Sequence, residues 1–166
     1  MKRIIFSSAL LILLIGVTSL APATKYKYTS EEANLSVTFP AEFTTSEESN
    51  ENYKSVKTQA ISDEMVFLAI YTVHDADVSE QEKLSEISIN AFMEGLNGVP
   101  EGKTTWKVKK NNGLQSKFEV PEKDLVGDYR VVLIGQIQYQ ITAVSPKSSW
   151  DKKKASKFFK SFKVKK

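Results

Sequence analysis

Residues 130–146 read RVVLIGQIQYQITAVSP, an apolar run that meets a single glycine and then alternates with glutamines. Placing Gly135 and Gln136 at the two central positions of a tight turn puts glycine where a type II′ turn needs positive φ. Ile134 then faces Ile137, Val132 faces Tyr139, and Arg130 faces Ile141. In that register Val132, Ile134, Ile137, Tyr139 and Ile141 share one face, while Val131 and Leu133 share the other with Gln138 and Gln140. The pattern predicts a core hairpin, and Gly135 reads as its turn residue rather than as part of a reaction centre.

Outward from the hairpin, the chain reads as strand-rich with two helices. LSVTF (35–39) alternates and stops at Pro40, while YKSVKTQAI (53–61) and MVFLAIYTV (65–73) form a hairpin through Ser62, Asp63 and Glu64. The second of these is apolar on both faces, which predicts a central position. Ser79 and Glu82 have the S-x-x-E spacing of a helix start, and Leu84, Ile87, Ser88, Ala91, Phe92 and Gly95 recur at helical spacing up to Gly98 and Pro100. TTWKVKK (104–110), a turn at Asn111-Asn112-Gly113 and LQSKFEV (114–120) predict another hairpin, with Pro121 to Gly127 as a polar loop. Near the end, Ala155, Phe158, Phe159 and Phe162 form the apolar stripe of a last helix. The fold class expected is α+β, an antiparallel β-sheet flanked by two helices.

The first residues have another purpose. Lys2 and Arg3, the apolar stretch from Ala9 to Val17, and Ala21-Pro22-Ala23 have the three parts of a secretory signal peptide, with cleavage after Ala23. A retained membrane anchor is the alternative, although Ser7, Ser8, Gly16, Thr18 and Ser19 dilute the span. Residues 24–166 then form a single domain, exported to a periplasm or medium and expected to act as a monomer. With no cysteine in the chain, there is no disulfide, thiolate ligand or lipid-acceptor thiol. The net charge of +3 falls to +1 once Lys2 and Arg3 are removed, a balance that argues against a nucleic-acid binder.

The run R-V-V-L-I-G-x-x-x-Y-x-I-T (130–142), Ser145-Pro146, the short helix and F-F-K-S-F-K-V (158–164), together with Phe39-Pro40 at the end of an early strand, resembles small exported bacterial proteins of the Mog/PsbP-like fold. That fold is related in shape to the PsbP extrinsic subunit of photosystem II. The resemblance spans about residues 26–164 and departs from lipoprotein members, whose acylated cysteine is absent here. It implies an antiparallel sheet flanked by helices and an accessory role in protein binding, and it transfers no catalytic residue.

Three local patterns imitate chemistry. Asp75, Asp77, Ser79 and Glu86 are spaced like a calcium loop, yet Glu80 stands where the sharp turn needs glycine, so no metal ligands are assigned. Gly102-Lys103-Thr104 resembles the end of a phosphate loop but leads into a strand, with no helix N-terminus for a phosphate. His74, the lone histidine, lacks a second histidine or a nucleophile elbow and reads as a solvated strand-end residue. No catalytic residue and no cofactor are assigned.

Two surfaces remain as partner sites. Ile89 and Met93 lie one turn apart outside the expected stripe, either packed under a loop or forming a docking ridge. Lys153, Lys157 and Lys160 face outward on the last helix, with Lys163, Lys165 and Lys166 beyond. Residues 152–166 hold eight lysines and no acid, whereas residues 31–51 hold six glutamates and no base. Those two segments either neutralise each other within the fold or leave the lysines for an anionic partner. The leading expectation is a non-catalytic accessory protein that binds an unknown protein or an anionic envelope component, with no nucleic acid. A carrier of a small apolar ligand in a sheet–helix cleft and an unrecognised enzyme are the alternatives.

Overall fold

The computed structural model describes residues 26–79 and 81–165. The expected signal segment and Lys166 lie outside the described residues, as does the side chain of Glu82. In chain order the elements are β1 (Tyr26–Ser30), β2 (Leu35–Phe39), β3 (Phe43–Ser49), β4 (Tyr53–Ser62), β5 (Met65–His74) and α1 (Glu82–Leu96). They continue as β6 (Val99–Pro100), β7 (Thr104–Val108), β8 (Asn111–Val120), β9 (Leu125–Ile134), β10 (Ile137–Pro146), α2 (Lys152–Ser161) and β11 (Lys163–Val164).

The β9–β10 hairpin has the expected register, with Ile134 opposite Ile137, Val132 opposite Tyr139 and Arg130 opposite Ile141. Gly135 has φ +60°, and its neighbour Gln136 is not in the left-handed region, as a II′ turn requires. This hairpin anchors the large antiparallel sheet, ordered β3-β4-β5-β10-β9-β8-β6, with β7 also paired to β8. The apolar β5 is central, between β4 and β10. A separate sheet, ordered β1-β2-β11, lies with α2 on one face of the large sheet, and α1 lies on the other against β8 and β9.

The two faces have distinct cores because strand side chains alternate. On the α2 side, Val132, Tyr139 and Ile141 pack with Phe39, Phe67 and Phe158, and the Phe158 ring centroid stands 5.3 Å from that of Phe39 and 5.1 Å from that of Phe67. Beneath α1, Tyr129 and Val131 pack with Phe118 and Val120, and Phe92 stacks 4.4 Å from Tyr129. Polar strand residues on this face are satisfied in place: Tyr129 donates to the Gln140 side chain at 2.6 Å, and Gln138 bonds Ser88 of the helix.

Four local expectations are corrected. The helix begins at Glu82 rather than Ser79, because the Ser79 hydroxyl donates to Asp77 at 2.6 Å instead of capping. The turn of the β7–β8 hairpin lies at Lys109 and Lys110, and Asn111 to Gly113 belong to β8. Gly113 is glycine for a different reason: a Cβ there would meet the Val131 carbonyl oxygen at 2.2 Å. Of the expected loop Pro121 to Gly127, only Pro121 to Asp124 turns, and β9 has already begun at Leu125.

The last correction concerns Ile89 and Met93. Both are core residues, 0% and 4% exposed, while Ile87 of the expected stripe is 51% exposed. The helix turns its larger apolar side chains, Ile89, Phe92, Met93 and Leu96, to the sheet. A stripe containing Ser88, Ala91 and Gly95 would remove much less apolar area from water. Ile89 and Met93 are therefore not a docking ridge.

Candidate functional site

Helix α2 starts at Asp151, whose carboxylate accepts the Lys153 and Lys154 N–H groups at 2.8 and 2.9 Å. Those bonds, the Lys154 amide above all, hold the Asp151 carboxyl below the usual aspartate range. Its inner stripe is the expected one, with Ala155, Phe158, Phe159 and Phe162 all buried. Lys154 leans back to the Asp63 carboxylate in the β4–β5 turn, and that ammonium lowers the Asp63 pKa. Lys153, Lys157 and Lys160 point away, exposed and without a salt bridge among the described residues.

The glutamate-rich segment does not neutralise them. Glu32 and Glu47 both bond Lys54 on β4, at 3.1 and 3.3 Å. The Lys54 ammonium is the main reason that the Glu32 carboxyl lies below its usual range, and Tyr71 donates to the same carboxylate at 2.9 Å. That network fastens the β1–β2 turn to the large sheet, as does the Tyr139 hydroxyl, which donates to the Ala33 carbonyl at 2.7 Å and is pushed up to about 12 by burial. Tyr71 and Tyr129 are raised further, again mainly by burial.

Two open grooves border α2. One, of about 410 Å³, runs between its C-terminal half, β7 and β11, and the Lys107, Lys109, Lys160 and Lys163 side chains line it with Trp106. The other, of about 520 Å³, lies between α2 and the ends of β8 and β9, and includes Lys117, Lys152 and Lys160 but also Glu101 and Asp128. Arg130 borders both. Its guanidinium lies 4.0 Å from the centre of the Phe159 ring and bonds Asp128 through Nε and Nη2 at 3.2 and 2.9 Å. This is a positioned cation whose charge is already matched.

Of the lysines singled out from sequence, the fold brings Lys160 and Lys163 to a groove, while Lys153 and Lys157 occupy the outer helix face. The groove lysines that sequence reasoning passed over are Lys107 and Lys109. Their signal was W-K-V-K (106–109), one cation on the strand beside a tryptophan and a second at the turn that follows.

The imitative motifs take defined places. Asp77 is engaged by the hydroxyl and N–H of Ser79, chiefly the hydroxyl, which lowers its pKa. Among the described residues no three His, Asp or Glu side chains converge. Gly102, with φ +118°, and Lys103 precede a strand. His74 ends β5 as expected, but its Nε2 is buried, with no hydrogen-bond partner among the described residues, rather than solvated. Around it, the loop after β5 is tied to the hairpin turn: His74 N–H donates to the Gln136 carbonyl at 2.8 Å and Val78 N–H to the Gly135 carbonyl at 2.9 Å. Among the described residues no helix is long and apolar enough to cross a membrane.

No family model matches the chain, and no curated protein matches it in sequence. Among solved structures, cyanobacterial PsbP (CyanoP) from Synechocystis sp. PCC 6803 is similar with a TM-score of 0.63, over 92% of this chain and 99% of that one, at 9% sequence identity. The fold is PsbP-like. A crystal structure from Bacteroides thetaiotaomicron VPI-5482 is similar with a TM-score of 0.50 and 14% identity, over 87% of this chain. This chain spans 50% of the length of that Bacteroides protein. At such identities the likeness is one of fold.

Proposed function

We propose that residues 24–166 form an exported, non-catalytic accessory protein that works by binding another protein of acidic character. A PsbP-like fold supports an accessory role. The observation that carries the rest is the division of the lysines. Lys54 and Lys154 are committed to carboxylates within the fold, whereas Lys153, Lys157 and Lys160 stand exposed on one helix face, outside any salt bridge among the described residues. The aromatic packing beneath α2 and the lysine-lined, open form of both grooves favour this reading over a carrier with a closed apolar cavity.

The test is capture from an envelope extract by the mature chain and by a Lys153→Glu, Lys157→Glu, Lys160→Glu variant. A partner is expected to be retained by the first and lost by the second, and released as salt rises, since exposed charges are screened beyond about 10 Å at 0.1 M. Retention that neither salt nor the triple reversal changes overturns the reading. Export has its own test: N-terminal sequencing of the exported protein is expected to begin at Thr24, and recovery of a chain retaining Met1 overturns cleavage after Ala23.

A further inference from the structure

Strand β7 pairs with β8 on one side only, and β11 is the end strand of the three-stranded sheet. Each therefore has one unpaired edge among the described residues, and alternate residues of such an edge direct N–H and C=O groups away from the sheet. The 410 Å³ groove lies between these two elements. Its wall includes Trp106, Lys107, Val108 and Lys109 in unbroken succession, and Phe162, Lys163 and Val164 likewise. Successive strand side chains point to opposite faces, so a cavity that touches each in turn reaches the backbone edge of β7, while Arg130 and Phe159 line it on the α2 face.

We propose that an extended acidic segment of a partner protein adds to the free edge of β7 within this groove, as one more antiparallel or parallel strand of the large sheet. The inference rests on the protein-binding reading above and deepens it by naming the shape of what binds. Charge and polarity choose the occupant. Lys107, Lys109, Lys160 and Lys163 come from β7, its turn, α2 and β11, and among the described residues no acidic residue lines this groove. Half-buried Trp106, whose ring lies 5.3 Å from that of Phe162, provides an apolar side. Trp106 lies on the face that carries α2, and Lys107 points to the opposite one. An added strand in which Asp or Glu alternates with an apolar residue therefore sets its acids beside Lys107 and its apolar side chains over Trp106, while Lys160 and Lys163 attract its charge from α2 and β11. Lysines on an edge also discourage unwanted pairing. That use accounts for Lys107 but not for Lys160 and Lys163, which come from other elements and converge on the same groove.

The probe is an acetylated octapeptide of alternating Glu and Val, titrated against the mature chain by fluorescence anisotropy and followed by amide hydrogen exchange. Binding is expected to slow exchange of amides in residues 104–108, to weaken about tenfold on Lys107→Gln with Lys163→Gln, and to be lost when alternate peptide nitrogens are methylated. Failure to bind, or binding that leaves exchange in residues 104–108 unchanged and tolerates methylation, overturns the proposal. Binding abolished by Lys153→Glu with Lys157→Glu but indifferent to the Lys107 and Lys163 changes retains the lysine face and removes the groove. Concentration-dependent self-association that Glu47→Lys with Glu48→Lys abolishes overturns it in favour of a second copy, paired through the acidic edge strand β3.

Discussion

Gly113→Ala places one methyl group where β8 meets β9. The new Cβ would lie 2.2 Å from the Val131 carbonyl oxygen and 2.8 Å from the Val132 Cβ, where ordinary contact begins near 3.4 Å. Backbone on the facing strand must therefore yield by about 1 Å. No flexible side chain can absorb that, since two of the three nearest atoms belong to the main chain. Overpacking of this kind costs about 1–3 kcal/mol, offset by about 0.4–1 kcal/mol from the lower entropy of the unfolded alanine chain. The net destabilisation expected is about 1–2 kcal/mol. With a urea m-value of about 2 kcal/mol/M, the unfolding midpoint falls by about 0.5–1 M at unchanged m. Gly95→Ala is the control, because in α1 the same methyl group meets nothing within 4 Å. There the helix gains about 0.5–1 kcal/mol and the midpoint rises. A Gly113→Ala midpoint equal to or above wild type refutes the close approach of β8 to β9 at this point.

Gly135→Val forces a β-branched residue to φ +60° and is expected to lower stability by about 1–3 kcal/mol in urea melts, whereas Gly135→Asn stays within about 1 kcal/mol. The folded-state pKa of Asp151 lies below its unfolded value, so the cap stabilises fully above the ordinary aspartate pKa and is lost as pH falls through the lower folded value. Asp151→Ala should therefore lower the melting temperature most at neutral pH, and its difference from wild type should vanish in strong acid; a constant difference overturns the assignment. Arg130→Met leaves Asp128, 13% exposed, without its cation and is expected to destabilise by about 2 kcal/mol. Adding Asp128→Val restores part of that loss in urea melts, and strict additivity of the two changes would show that the pair is not coupled.

The parts of the fold legible in sequence are those where one signal dominates. Gly135 between two alternating runs determines both turn and register, and four apolar side chains at helical spacing among lysines admit one orientation of α2. The rest failed for physical reasons. In α1, apolar residues surround the helix, so only the shape of the sheet beneath selects Ile89 and Met93 over Ile87. Strand β3, FTTSEES, carries no hydrophobic period; beyond Phe43, which packs against Phe39 and Tyr28, it is exposed and held by pairing with β4. Asn111-Asn112-Gly113 has the composition of a turn, but the glycine answers to the facing strand β9, whose pairing register the local sequence does not reveal. The groove has the same character, since Lys107, Lys160 and Lys163 meet only after three elements have packed.

What separates a candidate site from ordinary surface charge here is which cations the fold already uses. Lys54 fastens the β1–β2 turn through Glu32, Lys154 fastens the β4–β5 turn through Asp63, and Arg130 is matched by Asp128 against Phe159. Each of those side chains is held by a carboxylate, and its removal would be felt in stability. Lys107, Lys109, Lys160 and Lys163 have no salt bridge among the described residues, yet they line one groove without an acid in it. Like charges gathered at one place repel, and nothing in the packing of α2 requires them, because the helix is docked by Phe158, Phe159 and Phe162 on its other side. A solvating surface would be served as well by lysines spread over the sheet or interspersed with glutamates. Their convergence beside a strand edge that is unpaired among the described residues is what argues for an extended anionic partner there.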